Sequence, residues 1–184
     1  MPQAAARKKA DVIARVQREY RALDRTVRRL TPAVLRRPAF ERFKREPWTV
    51  KDALAHIIAW KRFTALSLRG ERRPPRYRGL EVMAANTKLY RDWHHKSARE
   101  VVAAHHAVQR EVMAALRALP GSSFAARRSP YWPADLLGHS AEHRVRHLER
   151  AANTAPTSST RRRTEPRRRA LHLSRSTTAH RGRS

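Results

Sequence analysis

Apolar residues recur at helical spacing along most of the chain. They return at steps of three and four positions over residues 9–30, 50–68, 80–93, 101–119 and 133–152. This period is typical of amphipathic helices that bury one face and expose a charged one. No segment shows the strict alternation of a half-buried β-strand. The pattern therefore predicts an all-α protein.

Helix starts and breaks are also marked in the sequence. Thr49 with Asp52 and Ser97 with Glu100 have the spacing of a capping box, in which each side chain satisfies a backbone amide of the other residue. Residues 70–79 begin and end with glycine and contain two consecutive prolines, so they are expected to interrupt the helices on either side.

The last predicted helix begins near Pro133, which suits a first helical turn, and Asp135 is favourable near its positive end. Four long helices joined by short or proline-broken links predict an up-and-down four-helix bundle over residues 9–152. Residues 1–8 are expected to be disordered. Residues 153–184 are rich in Thr, Ser, Pro and Arg without periodicity and predict a disordered basic tail.

The chain is strongly basic. Lys and Arg number 42 against 15 Asp and Glu, a formal net charge of +27 over 184 residues. Residues 161–184 hold nine Arg and one Glu and supply +8 of this, so the remaining residues carry +19. The charge has two interpretations, a compositional preference for Arg and selection for polyanion binding. The Arg-rich tail is the candidate for a nonspecific nucleic-acid contact, although no known nucleic-acid-binding motif accompanies it.

The chain contains no cysteine, which limits the kinds of functional site that it can form. Disulfides, Fe–S clusters, thiolate zinc and a cysteine nucleophile are excluded, so His, Asp and Glu are the available metal ligands. No apolar run approaches the roughly 20 residues of a membrane span, and the N-terminus lacks the apolar core of a signal peptide. The sequence predicts a soluble cytoplasmic protein with no membrane partner.

Histidines supply the candidate chemistry. His143 and His147 are four residues apart, so a helix places both imidazoles on one face, where they can reach a single divalent ion. His56, on the second helix, could complete the set, and three imidazoles with an open position would make a reactive metal site. His139 extends the series at the same spacing but drifts about 80° around the helix, so it competes with His147 for the metal.

Other residues are candidates for a surrounding pocket. His105 lies on the apolar stripe of the third long helix and is expected to point into the bundle, as a fourth ligand or beside the ligands. Asn86 and Trp60 could contact a substrate, as could Trp48 and Trp93, although large aromatic residues at helical spacing usually form core. The remaining histidines of the bundle are expected to lie at the surface: His94, His95 and His106.

Several short motifs together resemble a known family. They are Trp48-Thr49-Val50-Lys51-Asp52, His56 followed by Trp60, Asn86 followed by Tyr90, and Ala141-Glu142-His143. Their order and spacing over residues 10–152 resemble the DinB-like four-helix bundles, and most closely the DfsB/colibactin self-protection branch. The resemblance implies a divalent metal held by His56, His143 and His147. Arg144 departs from the branch, where an aromatic residue is common.

The resemblance also implies an activity. Zinc, nickel, iron or manganese would suit three imidazoles, and the family suggests two reactions: conjugation of a low-molecular-weight thiol to an electrophile, and hydrolysis of a reactive small molecule. We therefore expect a metal-dependent thiol transferase or hydrolase that acts in detoxification or self-resistance. Glu142 and Asp52 are the acidic residues nearest in sequence that could serve as a base. The alternative is a metal-free basic protein that binds nucleic acid nonspecifically, and a homodimer is compatible with either function.

Overall fold

The computed structural model of the protein describes residues 2–39, 46–125 and 132–154, and these residues form helices joined by turns and loops. Within these ranges there is no strand, and the one β-type contact is an isolated antiparallel bridge between Pro38 and Thr49. The all-α prediction is confirmed. None of the described helices is both long enough and apolar enough to cross a bilayer.

Four long helical segments build the fold, with shorter helices between them. In chain order the helices are α1 (Pro2–Val27), α2 (Pro32–Leu35), α3 (Val50–Leu68), α4 (Val82–Trp93), α5 (Ala98–Ala118), α6 (Ser122–Ala125), α7 (Gly138–His143) and α8 (Arg150–Asn153). A π-helical turn at Arg144–Glu149 joins α7 to α8. Residues 138–153 thus form one continuous segment, called here the last helix.

The main hydrophobic core lies where these four long segments meet. Leu23 of α1, Leu54 of α3, Val108 of α5 and Leu148 of the last helix are all fully buried in a single cluster. Burial of each such side chain stabilises the fold by about 1.5–3 kcal/mol. The segments therefore pack around a shared core, as the bundle prediction requires.

Both predicted capping boxes are present. The Thr49 amide donates to Asp52 Oδ2 at 2.9 Å while the Asp52 amide donates back to Thr49 Oγ1 at 3.3 Å. The Ser97 amide donates to Glu100 Oε2 at 2.8 Å, and the Glu100 amide donates to Ser97 Oγ at 3.2 Å. These bonds satisfy amides that the first helical turn leaves without partners, and they fix where α3 and α5 begin.

The first helix begins earlier than the sequence predicted. Residues 2–8 were expected to be disordered, yet α1 starts at Pro2. Proline is tolerated in a first helical turn and the alanines that follow favour helix. In addition, Lys9 Nζ donates to the backbone oxygens of Arg117 and Leu119, which lie at the end of α5. Contacts with a distant segment therefore hold the start of α1.

The last helix begins later than predicted. Pro133 has an extended backbone and precedes a 3₁₀ turn at Ala134–Leu136, and Leu137 interrupts the helix again with φ −120° and ψ −89°. Asp135 consequently lies outside the helix, where it accepts a hydrogen bond from Thr64 Oγ1 at 2.7 Å. The predicted disordered tail lies outside the described residues from residue 155 onward, whereas Asn153 still belongs to α8.

Candidate metal centre

Three histidines from two helices converge in the bundle. His56 of α3 and His139 of α7 bring their Nε2 atoms to 3.0 Å of one another. The ring centroids of His56 and His143 are 4.7 Å apart, and those of His139 and His143 are 4.5 Å apart. One ring nitrogen from each residue lies within 4.8 Å of the others, a grouping that could hold a metal ion. We call these residues the histidine triad.

His147, which the sequence placed in the ligand set, lies beside the triad and is not part of it. Its ring centroid is 5.4 Å from that of His143, and its imidazole makes a hydrogen bond with the backbone of Ala39. The spacing argument assumed an uninterrupted α-helix, but His147 lies inside the π-helical turn, which alters the helical phase after His143. His139, the competing candidate, occupies the third position.

The environment keeps the triad neutral at physiological pH. Burial, reinforced by the neighbouring imidazoles, lowers the pKa of His56 to about 3 and that of His143 to about 4. Burial also lowers the pKa of His139. A metal binds neutral imidazole, so all three rings have the protonation state that a ligand needs. Three neutral ligands leave the full charge of a bound cation uncompensated.

A metal-ligating histidine usually makes a hydrogen bond through the ring nitrogen that does not bind the metal. The Nδ1 atoms of the triad make no such bond with the described residues. The Nδ1 atoms of His56, His139 and His143 are buried and have no hydrogen-bond partner among the described residues. Packing orients the rings instead, since His56 makes edge contacts with Trp48 and Trp60, and His139 with Trp60. The donor set thus fits a cation, while the outer hydrogen bonds typical of such sites are not made by these residues.

The triad lines a cavity of about 470 Å³, within the size range of small-molecule sites. Its walls are largely apolar and include Trp48, Trp60, Val82 and Met83. Val82 and Met83 are 58% and 66% exposed, which is unusual for large apolar side chains, and they lie at the start of α4. The cavity therefore joins the three imidazoles to an apolar surface that is open to solvent.

Besides the histidines, four polar side chains line this cavity: Glu46, Asn86, Thr87 and Asp135. Asn86 accepts a hydrogen bond from Trp60 Nε1 at 3.1 Å, and both residues line the cavity, whereas His105 and Trp93, also considered for the pocket, are not among its lining residues. Asp135 and Glu46 contribute carboxylates. Asp135 lies close enough to His139 for its charge to act on the pKa of that imidazole. From the sequence, Asp135 was expected only at a helix terminus, since no local signal links it to Thr64, which lies 71 positions away.

The two acidic residues considered as bases from the sequence do not line the cavity. Asp52 is buried in its capping box, where Oδ2 also lies 2.9 Å from His94 Nδ1. Glu142 is exposed and pairs with Arg146 at 3.1 Å. Neither carboxylate is therefore positioned beside a ligand bound in the cavity.

The other histidines divide between the surface and the interior. His94 and His95 are exposed, as predicted. His105 is fully buried, as its place on the apolar stripe indicated, but it groups with Asp24 and His106 and not with the triad. His106 is intermediate: 39% of its side chain is exposed, and its Nδ1 lies 3.0 Å from the Tyr20 hydroxyl.

Arg144, the residue that departs from the resembled branch, ties the last helix to α1. Its Nε and Nη2 donate to the two carboxylate oxygens of Glu19 at 3.1 and 3.0 Å, and its Nη1 donates to Glu149. Ser140 Oγ also donates to Glu19 at 3.0 Å. The Glu19 side chain is 9% exposed and that of Arg144 14%. This buried pair fixes the segment that carries His139 and His143.

Comparison with known proteins identifies one family. A family model described as the DinB superfamily matches residues 15–151, which include the whole histidine triad. No curated protein and no solved structure gives a significant match. The matched span begins within α1 and ends within α8, so it covers all four long segments of the bundle.

Proposed function

Because this chain belongs to the DinB superfamily, whose members usually bind a metal, we propose that it is a metal-dependent enzyme that acts on a small electrophile. His56, His139 and His143 are the proposed ligands. The observation that carries the proposal is the convergence of three neutral imidazoles on the wall of a largely apolar cavity. A divalent ion bound there would supply Lewis-acid chemistry, either by polarising an electrophile or by making a water or a thiol more acidic.

The cavity residues have separate roles in this proposal. Trp48, Trp60 and Met83 would bind the apolar part of the substrate, and Asn86 would orient a polar substituent by hydrogen bonding. The Asp135 carboxylate, oriented by Thr64, is the candidate to accept a proton from the attacking water or thiol. The substrate class that fits is a small, mainly apolar molecule with one electrophilic centre.

Two reactions fit these groups, thiol transfer to an electrophile and hydrolysis. In thiol transfer, a C–S bond forms as the bond to the leaving group breaks, and the thiol proton passes to Asp135. In hydrolysis, a C–O bond forms between water and the electrophilic carbon as the bond to the leaving group breaks, and the water proton passes to the same carboxylate, from which the leaving group can take it up. Detoxification or self-resistance is the role proposed for either reaction.

Elemental analysis tests the metal ligands. Protein prepared without a metal-binding tag would be compared with a His139→Ala/His143→Ala variant and with His147→Ala. We expect the double variant to lose one equivalent of metal and His147→Ala to retain it. Equal metal content in the wild type and the double variant would contradict the triad assignment. Loss of this equivalent in His147→Ala as well as in the double variant would instead favour the ligand set expected from the sequence, His56, His143 and His147.

An activity screen tests the chemistry. Low-molecular-weight thiols, and water alone, would be assayed with chromogenic electrophiles, using wild-type protein, the His139→Ala/His143→Ala variant and Asp135→Asn. We expect both variants to lose most of the activity, with Asp135→Asn retaining its metal. A protein that lacks metal and activity yet binds nucleic acid in a salt-sensitive way would support the alternative binding function.

A further inference from the structure

A second group of ligating side chains lies between α1 and α5. Asp24 comes from α1, and His105 and His106 are adjacent on α5. Asp24 Oδ1 lies 3.5 Å from His105 Nε2 and 3.7 Å from His106 Nδ1. One ligand atom from each residue lies within 4.8 Å of the others. We propose that Asp24, His105 and His106 form a second binding site for a divalent transition-metal cation.

The separations suit a shared cation better than direct hydrogen bonds. Metal–nitrogen and metal–oxygen bonds of about 2.0–2.1 Å in a tetrahedral site place neighbouring ligand atoms roughly 3.4 Å apart. The two measured separations from Asp24 Oδ1 are slightly longer than this. They are at or beyond the upper limit for a hydrogen bond, which normally spans about 2.7–3.2 Å.

Buried polar atoms without partners give independent support. His105 is 0% exposed, and both its ring nitrogens lack a hydrogen-bond partner among the described residues. Asp24 Oδ1 is buried and lacks a hydrogen bond as well. Leaving such groups unpaired costs free energy, so native structures rarely contain them without a bound ion or water. A cation between the three side chains would satisfy Asp24 Oδ1 and His105 Nε2 together.

Neighbouring side chains contact the proposed ligands and affect cation binding in different ways. Arg28 Nε donates to Asp24 Oδ2 at 2.8 Å, which orients the carboxylate so that Oδ1 faces the histidines. Tyr20 stacks on His105 with ring centroids 5.1 Å apart. The Tyr20 hydroxyl lies 3.0 Å from His106 Nδ1. This hydrogen bond would have to break before that nitrogen could bind the cation. The positive charge of Arg28 opposes cation binding and the charge of Asp24 favours it.

This ligand set differs from the triad in chemistry and in position. It contains one carboxylate and two imidazoles, a combination that binds zinc, iron(II), cobalt(II), nickel or manganese. None of its members lines the cavity of the triad. The site would therefore join α1 to α5 without contributing to the proposed reaction, and it does not depend on the proposed function.

Cobalt(II) is a suitable probe, because its visible absorption reports coordination by protein ligands. The background would be the full chain with the triad removed by His139→Ala/His143→Ala and the tail imidazoles removed by His172→Ala/His180→Ala. We expect this background to bind one equivalent of cobalt(II). Adding Asp24→Asn/His106→Ala should abolish binding, whereas adding His95→Ala, which changes an exposed histidine, should leave it intact.

Two outcomes would overturn the second site: no cobalt(II) binding by the folded background, or binding that Asp24→Asn/His106→Ala leaves unchanged. Circular dichroism would establish that each variant is folded. If the Asp24→Asn/His106→Ala protein is unfolded, histidine NMR signals of the background decide the question. Cobalt(II) must then shift or broaden the signals of His105 and His106 before those of His94 and His95, and unaffected His105 and His106 signals would refute the proposal.

Discussion

The helix α5 and the last helix are specified in different ways. The 21 residues of α5 begin at a complete capping box and continue without interruption. The last helix follows Leu137, which makes no side-chain cap, and contains a π-helical turn. Local sequence therefore determines α5, whereas the last helix depends on bonds to other segments. The segment that is weaker in local signals carries two of the three triad histidines.

The contacts that replace local signals come mainly from α1. Glu19 receives hydrogen bonds from Ser140 and from Nε and Nη2 of Arg144, so a single carboxylate holds two successive turns of the last helix. Long-range pairing of this kind can place imidazoles against α3 where capping alone would not. Four measurements can test or refine this contrast.

The largest effect is expected at Arg144. Arg144→Met should lower the free energy of unfolding by about 3–5 kcal/mol, because it leaves the Glu19 carboxylate buried without its partner. Equilibrium urea unfolding of metal-free protein measures this loss. The matched double variant Glu19→Gln/Arg144→Met removes both charges and should lose less. A single-variant loss below about 1 kcal/mol would show that α1 does not hold the last helix.

A smaller, pH-dependent effect is expected at Lys61 of α3, whose charge acts on both His105 and His139. Lys61 is 2% exposed, and burial lowers its pKa from 10.5 to about 8. Its folded pKa lies below the unfolded value, so stability is gained as pH rises from about 8 toward 10.5 and lost as pH falls. From pH 7.5 to 9.5 the gain should be about 2 kcal/mol.

The matched variant for this measurement is Lys61→Met. It should be more stable than the wild type near pH 7.5, and the difference between the two proteins should shrink as the pH rises. Comparing the two proteins also cancels the titration of Tyr77, whose pKa burial and Asp92 raise to about 12. A difference that stays constant from pH 7.5 to 9.5 would contradict the assignment of this pH dependence to Lys61.

The capping box of α5 should contribute about 1 kcal/mol. Ser97→Ala removes the hydroxyl that accepts from the Glu100 amide, and such N-cap substitutions typically cost that amount. Thermal unfolding would be compared with Arg99→Ala, an exposed change in the same turn that we expect to shift stability by less than about 0.5 kcal/mol. If the two variants are equally stable, local capping does not determine the start of α5.

The smallest effect is expected on the exposed face of the last helix. Glu142 and Arg146 form an i,i+4 pair with both side chains more than half exposed. Such pairs contribute about 0.3–0.5 kcal/mol and are screened by salt. Urea unfolding of Glu142→Ala at low and high salt measures this. A loss comparable to that of Arg144→Met would mean that surface pairing, and not Glu19, holds the last helix.

Segments determined by local sequence could be predicted, whereas segments that depend on contacts with distant residues could not. The starts of α3 and α5 could be predicted, since Thr49 and Ser97 act on amides only three residues away. The start of α1 could not, because Lys9 reaches carbonyl groups more than 100 positions away. The late start of the last helix could not be predicted either, because nothing in the sequence indicates the non-helical backbone angles of Leu137.

The sequence anticipated part of the grouping of histidines that the structure shows. His56 and His143 lie with their ring centroids 4.7 Å apart, but His139 and not His147 completes the group, because a π-helical turn cannot be recognised from the sequence alone. Metal binding by these residues stays a prediction. The burial of His105 followed from its apolar neighbours Val101 and Val108, whereas its partner Asp24 on α1 did not. Contacts between residues of distant helices can be predicted only when the packing of the bundle is known.

The π-helical turn also changes the helical phase along the last helix, so that side chains before and after it follow different phases. In an unbroken α-helix, Leu148 would lie about 140° around the axis from His143. The wider turn brings positions five residues apart toward the same side, so the imidazole can face the cavity while Leu148 enters the core. Deleting one residue at the exposed Val145 would place Leu148 four positions after His143, about 40° around a regular α-helix, and would keep both side chains on one side. Forcing the full-length segment into a regular α-helix would instead turn either the histidines or the core leucine outward. The π-helical turn therefore lets this segment contain one additional residue while both contacts are kept.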